Sequence, residues 1–362
     1  MAPIPDQAPA SPPTIPASLL ALLTAQTPAA RATRAEIERW QRDWNAALAN
    51  RLQQLSTQAD ARSQLAYALL LPLASGDADP AAMQAARRQA LERAAQLDPD
   101  DVLVAWLQAV DCPGAQCDPN AALARLQRLE PDNAAVWLIE LQAAHQRGDA
   151  AAVDRYLRLA AAADRYDLHF GDAGLAGYAE IAELPLPPLG QAERELFGQG
   201  MGWKRPASDV DLRVSQVAAV TSALLTPALQ GLMQACGLRD GIGPPPARRA
   251  PCIAVLSHLA GSDTLIGPGM ALPTLVQLTA DGPEGGAWRE RYRLHHWQYQ
   301  QYSRGGLFMT GEQVLASWRL GEVPALQQRL QQLGLASPPP GWLPSNPYNR
   351  ALVTSGRPPP RG

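Results

Sequence analysis

The feature that most constrains the fold of this chain is the step of its apolar residues. Sustained apolar patterns recur every three or four positions, and period-2 runs of β-branched residues, the mark of strands, are nearly absent. Ile37, Trp40, Trp44, Ala47 and Leu48 trace one face of a helix expected over Thr33–Leu55. Thr33 followed by Glu36 has the capping-box spacing, so the helix is expected to start there. A second helix, Ala59–Leu73, is broken by Ser-Gly-Asp-Ala-Asp-Pro and completes a hairpin. Hydrophobic residues make up 46% and aromatics only 6%, with Ala and Leu dominant, and such side chains lose little rotamer freedom in a helix. The expected fold class is all-α.

Between Pro80 and Asp167 the pattern repeats. Ala-Leu-Glu-Arg-Ala-Ala-Gln-Leu-Asp-Pro ends at Pro99, and Ala-Leu-Ala-Arg-Leu-Gln-Arg-Leu-Glu-Pro ends at Pro131, 32 residues on. Each proline closes an amphipathic segment because it cannot continue the hydrogen-bond ladder. After Pro131, Trp137 falls early in a first helix, Gly148-Asp149 at the turn, and Leu157 and Ala160 on the second helix. This resembles the tetratricopeptide repeat, with one good unit from Pro131 to Asp167 and two degraded units flanking it. Trp106 stands one residue out of register with Trp137, and a Cys112–Cys117 turn replaces the usual glycine turn. The resemblance covers about a quarter of the chain. It implies antiparallel helical hairpins stacked as a right-handed α-solenoid, with a C-terminal helical region. It also implies a concave face, lined by Trp137, Glu140 and Ala144, for a protein or peptide partner.

Proline and glycine mark the expected boundaries. Residues 1–32 read as a disordered Pro-rich tail and lead-in, 33–167 as the hairpins, and 168–206 as an irregular linker carrying Leu184-Pro-Leu-Pro-Pro-Leu-Gly190. Residues 207–335 read as the C-terminal helical region. Its helices are expected at Ser208–Ala235, Cys252–Gly261, Gly269–Thr279, Ala287–Ser303, Gly311–Arg319 and Pro324–Leu333. Residues 336–362 read as a Pro-rich irregular tail.

Charge narrows the partners. The net charge is −3 with signs interspersed, and Lys204 is the one lysine beside many arginines. That is no clustered basic face for nucleic acid; the arginine bias points to GC-rich coding DNA and a bacterial source. The longest apolar stretch, Ala66–Ala74, is too short to cross a bilayer, so no transmembrane segment is expected. Cys112 and Cys117 flank a tight turn, and Cys236 and Cys252 flank a Gly/Pro-rich connector. Two disulfides across helix connections, four free thiols, or a four-cysteine zinc site are the alternatives, the last lacking the usual short knuckle. Disulfides would place the protein in the periplasm or envelope; free thiols would suit the cytoplasm. The start, MAPIPDQAPASPP, has no signal-peptide pattern, so export would need a leader upstream.

Residues with chemistry in them form no catalytic motif. Trp288, Tyr292, His295, Tyr299 and Tyr302 step by four, three, four and three, so one helix face carries aromatics and an imidazole. That face either packs on a neighbour or lines a groove for a ligand. His295 and His296 are adjacent and point about 100° apart on a helix, which does not suit a shared metal. Ser257-His258 and Ser262-Asp263-Thr264 hold the residue types of a hydrolase triad but no nucleophile elbow. Gly267-Pro-Gly269 lacks phosphate-loop spacing. On the N-terminal helices, acidic residues mostly have an arginine three or four positions away, as on a solvated face. The expectation is a non-catalytic interaction or scaffold protein with no cofactor and no metal. A ligand-binding protein or enzyme with a site at 288–302 is the alternative.

Overall fold

The structure, a computed structural model, describes residues 28–74, 79–110, 119–224, 229–237, 243–304 and 309–359. Among these residues there are seventeen α-helices and no strand. The all-α expectation holds for the reason the apolar step gave.

Helix α1 (Pro28–Thr57) buries Trp40, Trp44, Leu48, Leu52 and Leu55 along one face. It starts five residues before Thr33, which therefore lies inside the helix rather than capping it. Helices α2 (Ala61–Leu70) and α3 (Pro80–Leu97) form the first tightly packed pair, with a 3-10 turn at Leu71–Ala74 after α2. Asp60 caps α2 by accepting from the Ser63 amide at 2.9 Å. Helices α4 (Val102–Val110) and α5 (Pro119–Leu129) form the next pair, and α6 (Ala134–Gln146) and α7 (Ala150–Ala161) the third.

The two ends of the third pair meet at its flanking turns. Asp132 accepts backbone hydrogen bonds from Asp164 and Arg165 at 2.9 and 3.2 Å, and the Ala134 amide donates to the Arg165 carbonyl at 2.8 Å. The turn before α6 and the turn after α7 thus lie side by side, one repeat length apart. Asn133 and Arg165 form an isolated parallel bridge there.

Two further helices occupy the stretch read as irregular linker: α8 (Phe170–Ile181) and α9 (Gln191–Gly200). The glycines of α8 serve close packing rather than chain freedom. A Cβ on Gly171 would run into the Trp318 carbonyl, and one on Gly174 into the Trp318 indole. Glycine there lets α8 lie against α15 (Gly311–Leu320) and α10 (Asp209–Leu224). Short α11 (Gln230–Ala235) packs on α6, and α12 (Pro246–Ala260) packs on both α7 and α13 (Ile266–Leu278). The expected starts of these last two fall late, because Pro251 and Pro268 are accommodated inside their helices rather than before them.

Helix α14 (Gly285–Arg304) lies on α13, and α16 (Glu322–Gln332) pairs with α15. The tail read as irregular contains α17 (Pro347–Ser355), where Asn346 caps the Tyr348 and Asn349 amides and Pro347 opens the helix. No helix among the described residues is long and apolar enough to cross a membrane.

Buried apolar side chains form two clusters, and neither respects a division at 168–206. One joins α2 to α7 with α11 to α14 and α17. The other joins α1 and part of α2 to Ile181, Trp203, Leu212, Val217, Leu315 and Trp318.

Candidate functional site

Cys236 and Cys252 are bonded, with Cα atoms 5.7 Å apart and both side chains fully buried. Cys236 ends α11, and Cys252 lies in α12 one position after Pro251. The bridge ties the first turns of α12 to the end of α11. Cys112 and Cys117 lie outside the described residues.

The residues expected to line a concave face are largely engaged. Ala144 is buried in the core. Trp137 is half-buried, and its indole N–H donates to the Pro131 carbonyl at 2.9 Å. Glu140 accepts from Gln127 Nε2 at 3.1 Å. Helix α11 covers the neighbouring part of α6: the Gly231 amide donates to Gln142 Oε1 at 2.6 Å.

The aromatic helix, α14, divides along its length. Tyr292 is 5% exposed, and its hydroxyl donates to Asn349 Oδ1 of α17 at 2.9 Å. Trp288 packs half-buried on the larger core cluster. Toward the C-terminal end the face opens. His295 stacks on Tyr299 at 6.2 Å between ring centroids, Tyr299 meets Tyr302 at 6.2 Å, and Tyr299 is 41% exposed. Burial, with His296 and Arg291 nearby, pushes His295 down to about 4, so its imidazole is neutral at physiological pH. The first half of this stripe is core packing. The second half is a partly exposed aromatic surface.

The densest polar cluster was not singled out in the sequence. Glu130, at the end of α5, hydrogen-bonds Arg165, His169 Nε2 at 2.8 Å and Asn133 Nδ2 at 3.1 Å. His169 Nδ1 meets Asp172 Oδ2 at 3.2 Å, and Arg165 Nη1 donates to Asp167 Oδ2 at 3.1 Å. His169 is 6% exposed and lies edge-on to the Trp106 ring at 5.4 Å. Burial alone would lower His169, but Asp172, Glu130 and Asp167 outweigh it and raise the imidazole to about 9. Burial would likewise raise Glu130, yet His169, Arg165 and Asn133 hold it down at about 2. Both ring nitrogens and both Glu130 oxygens are engaged, so this is a closed clasp with no free group to offer a substrate. It ties the start of α8 to the turn before α6. The sequence signal available was the repeat spacing, which sets Asp164 beside Asp132.

A cleft of about 310 Å³ lies between α7 and the start of α12, lined by Asp154, Leu157, Arg158, Ala247, Arg248 and Pro251 among others. Arg248 Nε donates to Asp154 Oδ1 at 2.5 Å. Among the described residues, no three His, Cys, Asp or Glu side chains are grouped to hold a metal ion. Comparison of the chain with protein-family models, with curated proteins and with solved structures finds no match.

Proposed function

We propose that this chain is a non-catalytic scaffold built on tetratricopeptide-like hairpins, which binds a protein or peptide partner in an oxidising compartment such as a bacterial envelope. The observation that carries the reading is the closing of the α6–α7 hairpin, whose entry turn at Asp132 and exit turn at Asp164 lie side by side one repeat length apart. A repeat that stacks turn on turn builds a right-handed solenoid, and such stacks serve mainly as binding platforms. That step from fold to use is an analogy. The docking of α12 on α7, and of α13 on α12, supports an array that goes on past the repeat region. The buried Cys236–Cys252 bridge supports the oxidising compartment.

In-cell crosslinking followed by mass spectrometry tests the proposal. The expected result is one reproducible partner whose crosslinks map to a continuous surface of α4–α7 and α12. Crosslinks scattered over all faces, or confined to the chain itself, would overturn it. A free-thiol assay on protein from its native host tests the compartment, and reactive Cys236 or Cys252 would remove that part.

A second reading has one observation in its favour: the partly exposed stack of His295, Tyr299 and Tyr302, with a neutral imidazole at its inner end. It makes α14 a surface for a small aromatic ligand. Unchanged tyrosine emission across a titration with aromatic compounds would count against it.

A further inference from the structure

Arg158 sits in the last turn of α7, four residues after Asp154, the spacing of an intrahelical ion pair. That pair does not form. Asp154 instead accepts from Arg248, 94 residues further along the chain. The Arg158 guanidinium therefore lines the cleft without a hydrogen bond or ion pair to any described residue. Beside it, the cleft is lined by Pro245, Ala247 and Pro251 of the α12 side, with the buried Leu157 behind them and Asp154 and Arg248 as its other polar groups.

A cleft with one apolar wall, one free guanidinium and a second one half-occupied by a carboxylate has a specific complement. Arginine presents a planar fork that matches a carboxylate in two hydrogen bonds. A ligand with a carboxylate beside a small apolar group fits both features, and about 310 Å³ is the lower end of ligand-pocket size, enough for a residue or two. We infer that the α7–α12 cleft captures the free C-terminus of a partner polypeptide ending in an apolar residue. The terminal carboxylate pairs with Arg158, and the last side chain lies on Ala247 and Pro251. The Cys236–Cys252 bridge positions one wall, since Cys252 immediately follows Pro251.

This names the partner chemistry of the scaffold reading and rests on it. The test uses N-acetyl-Ala-Leu with a free carboxylate, its C-terminal amide, and N-acetyl-aspartate methylamide, each titrated into isotope-labelled full chain. The free acid should shift the backbone signals of Leu157, Arg158, Ala247 and Arg248 saturably, and the amide should not. Arg158→Ala should weaken binding by about tenfold or more. Circular dichroism should stay unchanged, because the side chain is exposed.

Asp154→Asn removes the competing carboxylate and frees Arg248, so it should tighten binding, a gain that misfolding does not produce. Reduction of the disulfide should weaken binding. Equal shifts with acid and amide, no effect of Arg158→Ala, or weaker binding by Asp154→Asn would each overturn the inference. Tighter binding of the aspartate probe would also overturn it in favour of an acidic side chain. A crosslinked partner docking elsewhere would leave the scaffold reading intact and remove only this one.

Discussion

His169 has a backbone φ of 55°, the only positive value among the described non-glycine residues. That conformation costs a histidine on the order of 1 kcal/mol or more, and it is held because both ring nitrogens are engaged by carboxylates. The charges set its pH dependence. The folded His169 titrates near 9, above its ordinary 6.5, so its contribution to stability is complete below 6.5 and is lost as pH rises toward 9. The folded Glu130 titrates near 2, below its ordinary 4.5, so its share is present above 4.5 and is lost as pH falls toward 2. The clasp therefore contributes most between about pH 4.5 and 6.5. Urea denaturation of Glu130→Gln at pH 6 should show a loss of about 1.5–3 kcal/mol, the cost of losing a charged hydrogen bond to a buried imidazolium that keeps Asp172. The variant should also lose stability less steeply than the parent from pH 6.5 to 9. A smaller change comes from Tyr292→Phe, which gives up the bond to Asn349 and should cost about 1 kcal/mol by the same measurement.

At the scale of elements, glycines and prolines carry more than one meaning. In α8, Gly171 and Gly174 face Trp318 so closely that no side chain fits, and Gly174→Ala should destabilise the protein by about 1–3 kcal/mol in thermal melts. In the sequence those residues look like signs of a linker. A glycine that permits close approach and one that frees a loop look the same in a sequence, and only the partner helix tells them apart. Pro347 likewise opens α17, in a tail whose prolines suggested irregular chain. Helix α1 was legible because Trp40, Trp44 and Leu48 repeat at helical steps, a property of the segment alone. The polar clasp and the cleft were not legible, since Glu130 meets His169 and Asp154 meets Arg248 across distant sequence. The Cys236–Cys252 pair lay between, readable as a candidate from its place at a connection. Replacing both cysteines with alanine should cost about 3 kcal/mol in chemical denaturation, the entropy of a loop of this length.

Across the whole molecule, the two buried clusters lace early helices to late ones. The larger one spans α2 to α17, and the smaller one joins Trp44 to Trp318. A chain cut after residue 206 would expose the face of α7 that α12 covers and the face of α8 that α10 and α15 cover. Such a fragment should bind a hydrophobic dye and yield to limited proteolysis far faster than the intact chain. A fragment with native resistance would mean that the first half stands alone.

The seating of Trp318 on α8 has a consequence in time. Roughly 270 residues of synthesis separate Trp44 from Trp318, which at elongation rates of about 5–20 residues per second is ~15–55 s. For that interval the tryptophan face of α1 is off the ribosome without its final neighbour. A nascent chain of this kind offers a long window to holdase chaperones.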